Sequence, residues 1–511
     1  MSSILGSKDE KLAYLKTEIE SVGSRREAED LATDFQLYNE ALEIDTDKSS
    51  ESKVLFKIDL VLIPIMCLMY TMQLLDKGSL NYAAAYTLEE DLNLIGQRYS
   101  WVAAIFNFGY LFWAIPSNYI IQKVPVAKYT GCTLIIWSII LIAHVGAKNY
   151  GGLLVLRFIL GMFEAGISPS CMMICSLFYT RLEQPLRICL FLSCNGVAAM
   201  VGGLLGYGLG HVQNSHLKTW QLIFLVFGFM NLAVGIIVLV FLPDSPRNAR
   251  FLNLDERAIA IERVARNNMG IKDKEFKKAQ LKESISDVAV WLLSLGGFAC
   301  GVINGGTSNF ASALFKGFGF SGIYATLLQL PTGALELGVV LAAGVIALTV
   351  KNTRCLMYVL TCIPGFAGLI IIHTIPLKDK WTLVGGTWLQ FIIGGPIVLS
   401  WVLLSANIAG HTKRTIANGV WFTFYAAGNI TGPNLFYTYE APKYYKAIIA
   451  LMTCYSGLML IGIVYAALLW SRNNKKDKEY GELTPEAAKQ AIIDGFKDLT
   501  DKENKGFRYL L

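Results

Sequence analysis

The sequence predicts an all-α membrane protein: twelve transmembrane helices arranged as two bundles of six. Three observations carry this. The 511 residues are 54% hydrophobic and only 16% charged, with mean hydropathy +0.45, where soluble proteins carry roughly a quarter charged residues. The charge is also segregated, since of 84 charged residues 21 fall in 1–57, 18 in 243–287 and 17 in 471–511. Crossing a bilayer takes ~20 consecutive apolar residues, and twelve such runs are present, six on each side of 243–287. A soluble protein spreads charge over its whole surface. The pattern therefore excludes a soluble globular protein, a secreted disulfide scaffold and a disordered chain.

In chain order, residues 1–55 are a polar tail, with 13 acidic against 8 basic residues in 1–57. No cleavable signal precedes the first apolar run, which then serves as the targeting signal. Runs 58–82, 99–122, 129–147, 151–178, 186–210 and 220–242 make a first bundle, 56–242. In the loop 243–287, Asn253 and Glu256 read as an N-cap and its reciprocal partner. Leu254, Ala258, Ile261 and Ala265 recur at helical spacing opposite Glu256, Arg257, Arg263 and Arg266. An amphipathic helix on the bundle or the membrane face is predicted, with a solvated connector as an equal alternative. Runs 288–310, 322–349, 355–375, 382–408, 415–438 and 445–470 make a second bundle, 288–470, followed by a charged tail, 471–511. An even number of crossings puts both tails on one side. Positive charges in the short loops tie at eight against eight. Lys48, Lys53, Lys57, Arg247, Arg250, Arg472, Lys475, Lys476 and Lys478 at the flanks break the tie and place tails and central loop in the cytoplasm.

Ten cysteines, nine of them in apolar runs and none in paired CxxC spacing, read as buried thiols rather than metal ligands. A net charge of +6 without a basic cluster points away from nucleic acid. No phosphate loop, zinc spacing or nucleophile elbow is present, so neither an enzyme nor a cofactor is expected.

What demands explanation is charge inside the apolar runs, which costs ~2.5–3.5 kcal/mol per residue on insertion scales. Five residues qualify: Asp76 and Lys77 in the first run, Arg157 and Glu164 in the fourth, and Glu336 in the eighth. Arg157 and Glu164 are two helical turns apart, on one face and ~10 Å apart along the axis. Two readings stand. The four first-half charges pair and pin helix one to helix four, or the cations receive an anion while a carboxylate exchanges a proton. Arginine suits a carboxylate because its planar fork holds both oxygens. Glu336 has no charged neighbour in its own run, and a bond to backbone or a neighbouring Asn is the bland alternative to a proton role. Among the second-half amides Asn304, Asn309, Gln329, Asn407 and Asn429, which commonly glue helices, Asn304 and Asn407 are the substrate candidates. His411 is expected at the interface. Gly202, Gly206 and Gly210 form a small-xxx-small series for close backbone approach, as do Gly109, Gly161, Gly428 and Gly432.

Several segments resemble the major facilitator superfamily, and within it the anion:cation symporters of the fungal allantoate permease-like group. Asp76-Lys77-Gly78-Ser79-Leu80-Asn81-Tyr82-Ala83 is similar to the helix-one signature, with Lys77 where Arg is usual. Arg157-x3-Gly161-x2-Glu164-x-Gly166 is similar to the helix-four signature. Phe241-Leu242-Pro243-Asp244-Ser245-Pro246 with Ala249-Arg250-Phe251-Leu252, then Ser405 to Arg414, and Asp498 to Asn504 with Phe507-Arg508-Tyr509, resemble segments of fungal members. Gln122 stands where the superfamily has an acidic gate residue. The resemblance implies a proton-coupled importer of a small organic anion, such as allantoate, ureidosuccinate, a dipeptide, an amino acid or a vitamin carboxylate, working by alternating access in the plasma membrane as a monomer. It implies substrate binding by Arg157 and proton coupling by Asp76 and Glu164. Lys77, Asn304 and Asn407 are added as substrate-binding candidates and Glu336 as a proton candidate. A proton antiporter exporting drugs or metabolites and a transporter-like nutrient sensor remain the alternatives.

Overall fold

The computed structural model describes residues 48–180, 183–212, 216–268, 277–350, 352–481 and 499–511. The expected tail before residue 48, and the side chains of Gln122, Cys189 and His411, lie outside the described residues. Every regular element among the described residues is helical.

Twelve long segments follow one another: α1 Lys48–Ala84, α2 Arg98–Lys123, α3 Val126–Ala143, α4 Tyr150–Phe178, α5 Gln184–Leu192 with Cys194–Gly210, and α6 Thr219–Phe241. After the loop come α7 Val288–Gly317, α8 Gly322–Leu327 with Leu330–Thr349, α9 Arg354–Thr374, α10 Lys380–Gln390 with Gly394–Asn407, α11 His411–Asn434 and α12 Tyr445–Tyr480. Among the described residues, ten of these meet the length and hydropathy needed to cross a membrane. The two that do not, α2 and α11, pack against each other across the two halves.

The loops define two ends. Residues 84–98, 309–323 and 435–438 meet at one end, called here the far face. The start of α1, residues 243–268 and 277–287, and the tail 499–511 meet at the other, the termini face. Close helix contacts are made where Cβ atoms are missing. A Cβ on Gly109 would lie 2.0 Å from Phe158 O, and one on Gly161 2.0 Å from Phe106 O, so α2 and α4 touch backbone to backbone. Gly301, Gly305, Gly428 and Gly432 do the same for α7 and α11. The expected series in α5 works differently: Gly202 and Gly210 accommodate the Tyr82 and Tyr86 rings and Gly206 the Thr326 side chain, while backbone approach is made by Gly203 and Gly196.

The loop helix is present as Leu254–Asn268, with Asn253 N donating to Glu256 Oε2 at 3.0 Å. Its buried face is Ala258, Ile259, Ala260 and Arg263, while Leu254 is 69% exposed, a shift of face from the expected stripe. Arg263 supplies the reason by bonding Glu183 at 2.5 Å, which rotates the helix to seat that cation on the first half. A second loop helix, Lys278–Ser286, packs on α11 instead. The described cysteines are all free thiols, and Cys132 faces outward rather than inward.

Candidate functional site

In the first half, α1 and α4 lay their charged residues in two layers. In the outer layer, nearer the far face, Arg157 Nη2 donates to Ser79 Oγ at 3.1 Å, and Ser79 donates to Asp76 Oδ1 at 3.3 Å. Trp137 of α3 donates to the other Asp76 oxygen, and the guanidinium lies 5.4 Å above the Phe224 ring of α6. Arg157 and Asp76 are thus joined through a hydroxyl rather than in the direct ion pair one sequence reading anticipated. The inner layer is Glu164, whose Oε1 accepts from Gln73 Nε2 at 3.3 Å, with Ser168 donating to Gln73 Oε1 at 3.3 Å. Asp76, Arg157 and Glu164 are each 2% exposed. Arg157 Nε and Glu164 Oε2 are buried without a hydrogen-bond partner. Lys77 is half-buried, forms no ion pair within 4.0 Å among the described residues, and feels the charge of Glu164.

The local sequence explains the layering. Gln73, Asp76 and Ser79 recur every three residues, on one face of α1. Residues 165–166 interrupt α4 immediately after Glu164, between Tyr150–Glu164 and Ile167–Phe178.

In the second half the candidates separate. Asn304 of α7 donates to Tyr425 Oη and to Asn429 Oδ1, both at 2.9 Å, forming an amide–phenol cluster on the α7–α11 seam. Glu336 of α8, 7% exposed, accepts from Asn195 of α5, a residue of the opposite half that sequence reasoning passed over. Asn407 is elsewhere. It ends α10 at the termini face, where its Nδ2 donates to Leu510 O at 3.0 Å and its Oδ1 accepts from Leu510 N at 2.7 Å. Both ends of its amide are occupied by the chain's own tail, which Asn407 anchors in this state.

That tail is the largest feature missed from the sequence. Lys413, fully buried, bonds Asp501 at 2.6 Å, Glu283 at 2.9 Å and Asp287 at 2.9 Å. Arg472 bonds Asp287 at 2.5 Å, and Tyr509 donates to Asp501 at 2.8 Å. Burial alone would push the Asp287 carboxyl up, but the bonds from Arg472 and Lys413 outweigh it and hold it at about 2. The signal is in the sequence, because Ser405 to Arg414 and the tail 499–509 both stand out there. Only the fold shows that they touch.

The halves meet at the far face and the middle. Asn81 Nδ2 donates to Gln329 Oε1 at 2.8 Å while its Oδ1 accepts from Ser312 N at 2.9 Å, and Gln329 donates to Ser312 at 2.7 Å. Tyr99 donates to Asn309 O at 2.7 Å. The hydrogen bonds that join the halves run from the far face inward as far as Asn195 and Glu336. At the termini face each half instead closes on itself, as in the bond of Arg187 Nη2 to Asp59 at 2.6 Å.

Comparison with known proteins agrees with this architecture. The Major Facilitator Superfamily profile matches residues 66–433. An uncharacterized transporter of Schizosaccharomyces pombe is 37% identical, with 93% of this chain and 90% of that protein aligned. The allantoate permease of Saccharomyces cerevisiae is 31% identical over 93% of this chain and 90% of its own. The thiamine pathway transporter of the same yeast is 32% identical over 90% and 86%. The solved structure of a bacterial homolog to the human lysosomal transporter Spinster, inward-facing and unoccupied, superposes with a TM-score of 0.57 at 15% identity, covering 83% of this chain and 95% of that one. With twelve long helical segments, two halves in contact at one face, and these relatives, the chain is a multi-pass membrane transporter and belongs to the major facilitator superfamily.

Proposed function

We propose that this transporter is a proton-coupled importer of a small organic anion. The observation that carries the reading is the pair of unsatisfied groups in the first half: a buried guanidinium N–H and a buried carboxylate oxygen, both left without partners. Buried polar atoms in folded proteins nearly always have partners. Here the missing partners are an anion's oxygen for Arg157 and a proton for Glu164. Asp76 is already engaged as an acceptor by Trp137 and Ser79, so its part is to hold Arg157 through Ser79 until substrate competes for it. Lys77 brings a second cation to the same layer pair, and Asn304 with Tyr425 offers neutral polar atoms from the opposite half. The name of the allantoate permease relative supports a ureido-carboxylate as a first substrate to test.

The positive flanks put the two termini and 243–287 in the cytoplasm, and the plasma membrane is the proposed location. In that orientation the described state is closed to the outside, and substrate and proton leave toward the cytoplasm as the two halves rock about the site. The testing experiment is uptake of labelled allantoate in yeast lacking its own carriers, with unlabelled carboxylates, ureides, dipeptides and vitamin acids as competitors. Uptake or competition by an anion, rising with an inward proton gradient, is expected. Efflux driven by the same gradient would replace import with antiport.

A further inference from the structure

Helices α5 and α8, from opposite halves, cross where neither has a side chain. A Cβ on Gly196 would stand 2.4 Å from Gly333 O, and one on Gly333 2.3 Å from Gly196 O. From this crossing to the far face the two helices stay in contact through Gly203 and Gly206 against Thr326. Toward the termini face they part: a Cβ on Gly338 or Gly344 would meet nothing within 4 Å, and Leu190 and Leu341 are exposed.

The polar contact at this parting point is the bond from Asn195, beside Gly196, to Glu336, one turn past Gly333. Gly394 of α10 makes room for it, since a Cβ there would lie 2.3 Å from Glu336 Oε1. No cation lies within 4.0 Å of the carboxylate among the described residues. Of the elements packed around it, α5 brings the Asn195 amide and α10 the bare Gly394. The titratable side chains that feel its charge are the phenols of Tyr425 on α11 and Tyr455 on α12.

We infer that Asn195 is a positioning residue for transport, binding the Glu336 carboxylate across the pivot so that proton occupancy of Glu336 and the α5–α8 crossing form one equilibrium. An amide N–H stabilises the ionised form, and a charge near mid-membrane has few other sources of stabilisation. The donor sits on the other half, so it is present only while the helices cross as they do here. Rocking that parts Asn195 from Glu336 leaves the carboxylate to take a proton from water on the open side. The inference rests on the proton-coupled reading above.

The test is hydrogen–deuterium exchange of the full chain in lipid nanodiscs from about pH 5 to about pH 8, corrected for intrinsic exchange and read at 184–194 and 337–346. It needs no transported substrate. Exchange of the wild type is expected to switch with pH, and Glu336→Gln to flatten the switch to the share that Glu164 supplies. Asn195→Ala should move its midpoint upward by about one pH unit, Asn195→Gln should restore it, and the double variant should behave as Glu336→Gln alone. A wild type that does not respond to pH overturns this inference together with proton coupling. A responsive wild type whose midpoint ignores Asn195→Ala, in protein that elutes as a single species, overturns this inference alone.

Discussion

Arg157 and Glu164 sit on one helix, yet each is anchored to a different turn of α1, Arg157 through Ser79 and Glu164 through Gln73. Their substitutions should therefore separate. Glu164→Gln keeps the shape and the Gln73 contact but cannot ionise. Gradient-driven uptake should fall about tenfold or more while substrate exchange changes little, and equal loss of both in a vesicle assay would assign Glu164 to binding instead. Arg157→Lys keeps the charge and loses the fork that reaches Ser79 while presenting a second donor. An apparent affinity weakened about ten- to a hundredfold is expected in the same uptake assay. Arg157→Ala should abolish uptake. The sequence named this layer because charge in an apolar run has to be explained. It could not name Gln73, Ser79 or Trp137 as partners, because neutral polar residues in a helix carry no comparable cost signal.

At the scale of elements, α1, α7 and α8 are tied at the far face by one buried amide, that of Asn81, which bonds both Gln329 and Ser312. Asn81→Ala would leave those groups unpaired, a cost of about 1–3 kcal/mol borne only by the far-face-closed state. Since 1.4 kcal/mol is a tenfold shift in a two-state population, exchange at 309–323 should rise markedly. Tyr99→Phe, which removes a single bond to Asn309 O, should produce a smaller rise. The opposite result, unchanged protection in both variants, would show that the α5–α8 seam alone holds the far face. Helix number and order were legible from apolar runs. The breaks at 165–166, 193, 328–329 and 391–393 were not, since they depend on packing between helices rather than on local composition.

On the scale of the whole molecule, the tail 499–511 folds back on the second half and neutralises Lys413, just as the loop helix Leu254–Asn268 clasps the first half through Arg263 and Glu183. Each half is followed by a segment that closes its own termini-face end. Asp501→Asn leaves a fully buried lysine with less compensation, and breaking such a network costs about 3–5 kcal/mol. A clear drop in melting temperature is expected by thermal unfolding in detergent, with Asn407→Ala giving a smaller one. An unchanged melting point would show that the clasp is decorative. The same network sets an acid limit. The folded Asp287 pKa of about 2 lies below its ordinary value of 3.8. Its stabilising contribution is complete above that ordinary value and is lost as the pH falls toward about 2. Acid scans should then show Asp287→Asn already lacking the loss the wild type suffers in that window.

Hydropathy and charge segregation alone determined a twelve-segment membrane protein, because water and lipid sort residues before any tertiary contact forms. The charges inside the apolar runs alone marked helices one and four, because burying charge is costly wherever the chain folds. Tertiary structure decided what those charges touch and which half lends Asn195 to Glu336. It also joined Asn407 to a tail about a hundred residues away, because a hydrogen bond depends on ångström distances between segments whose separation along the chain carries no such information.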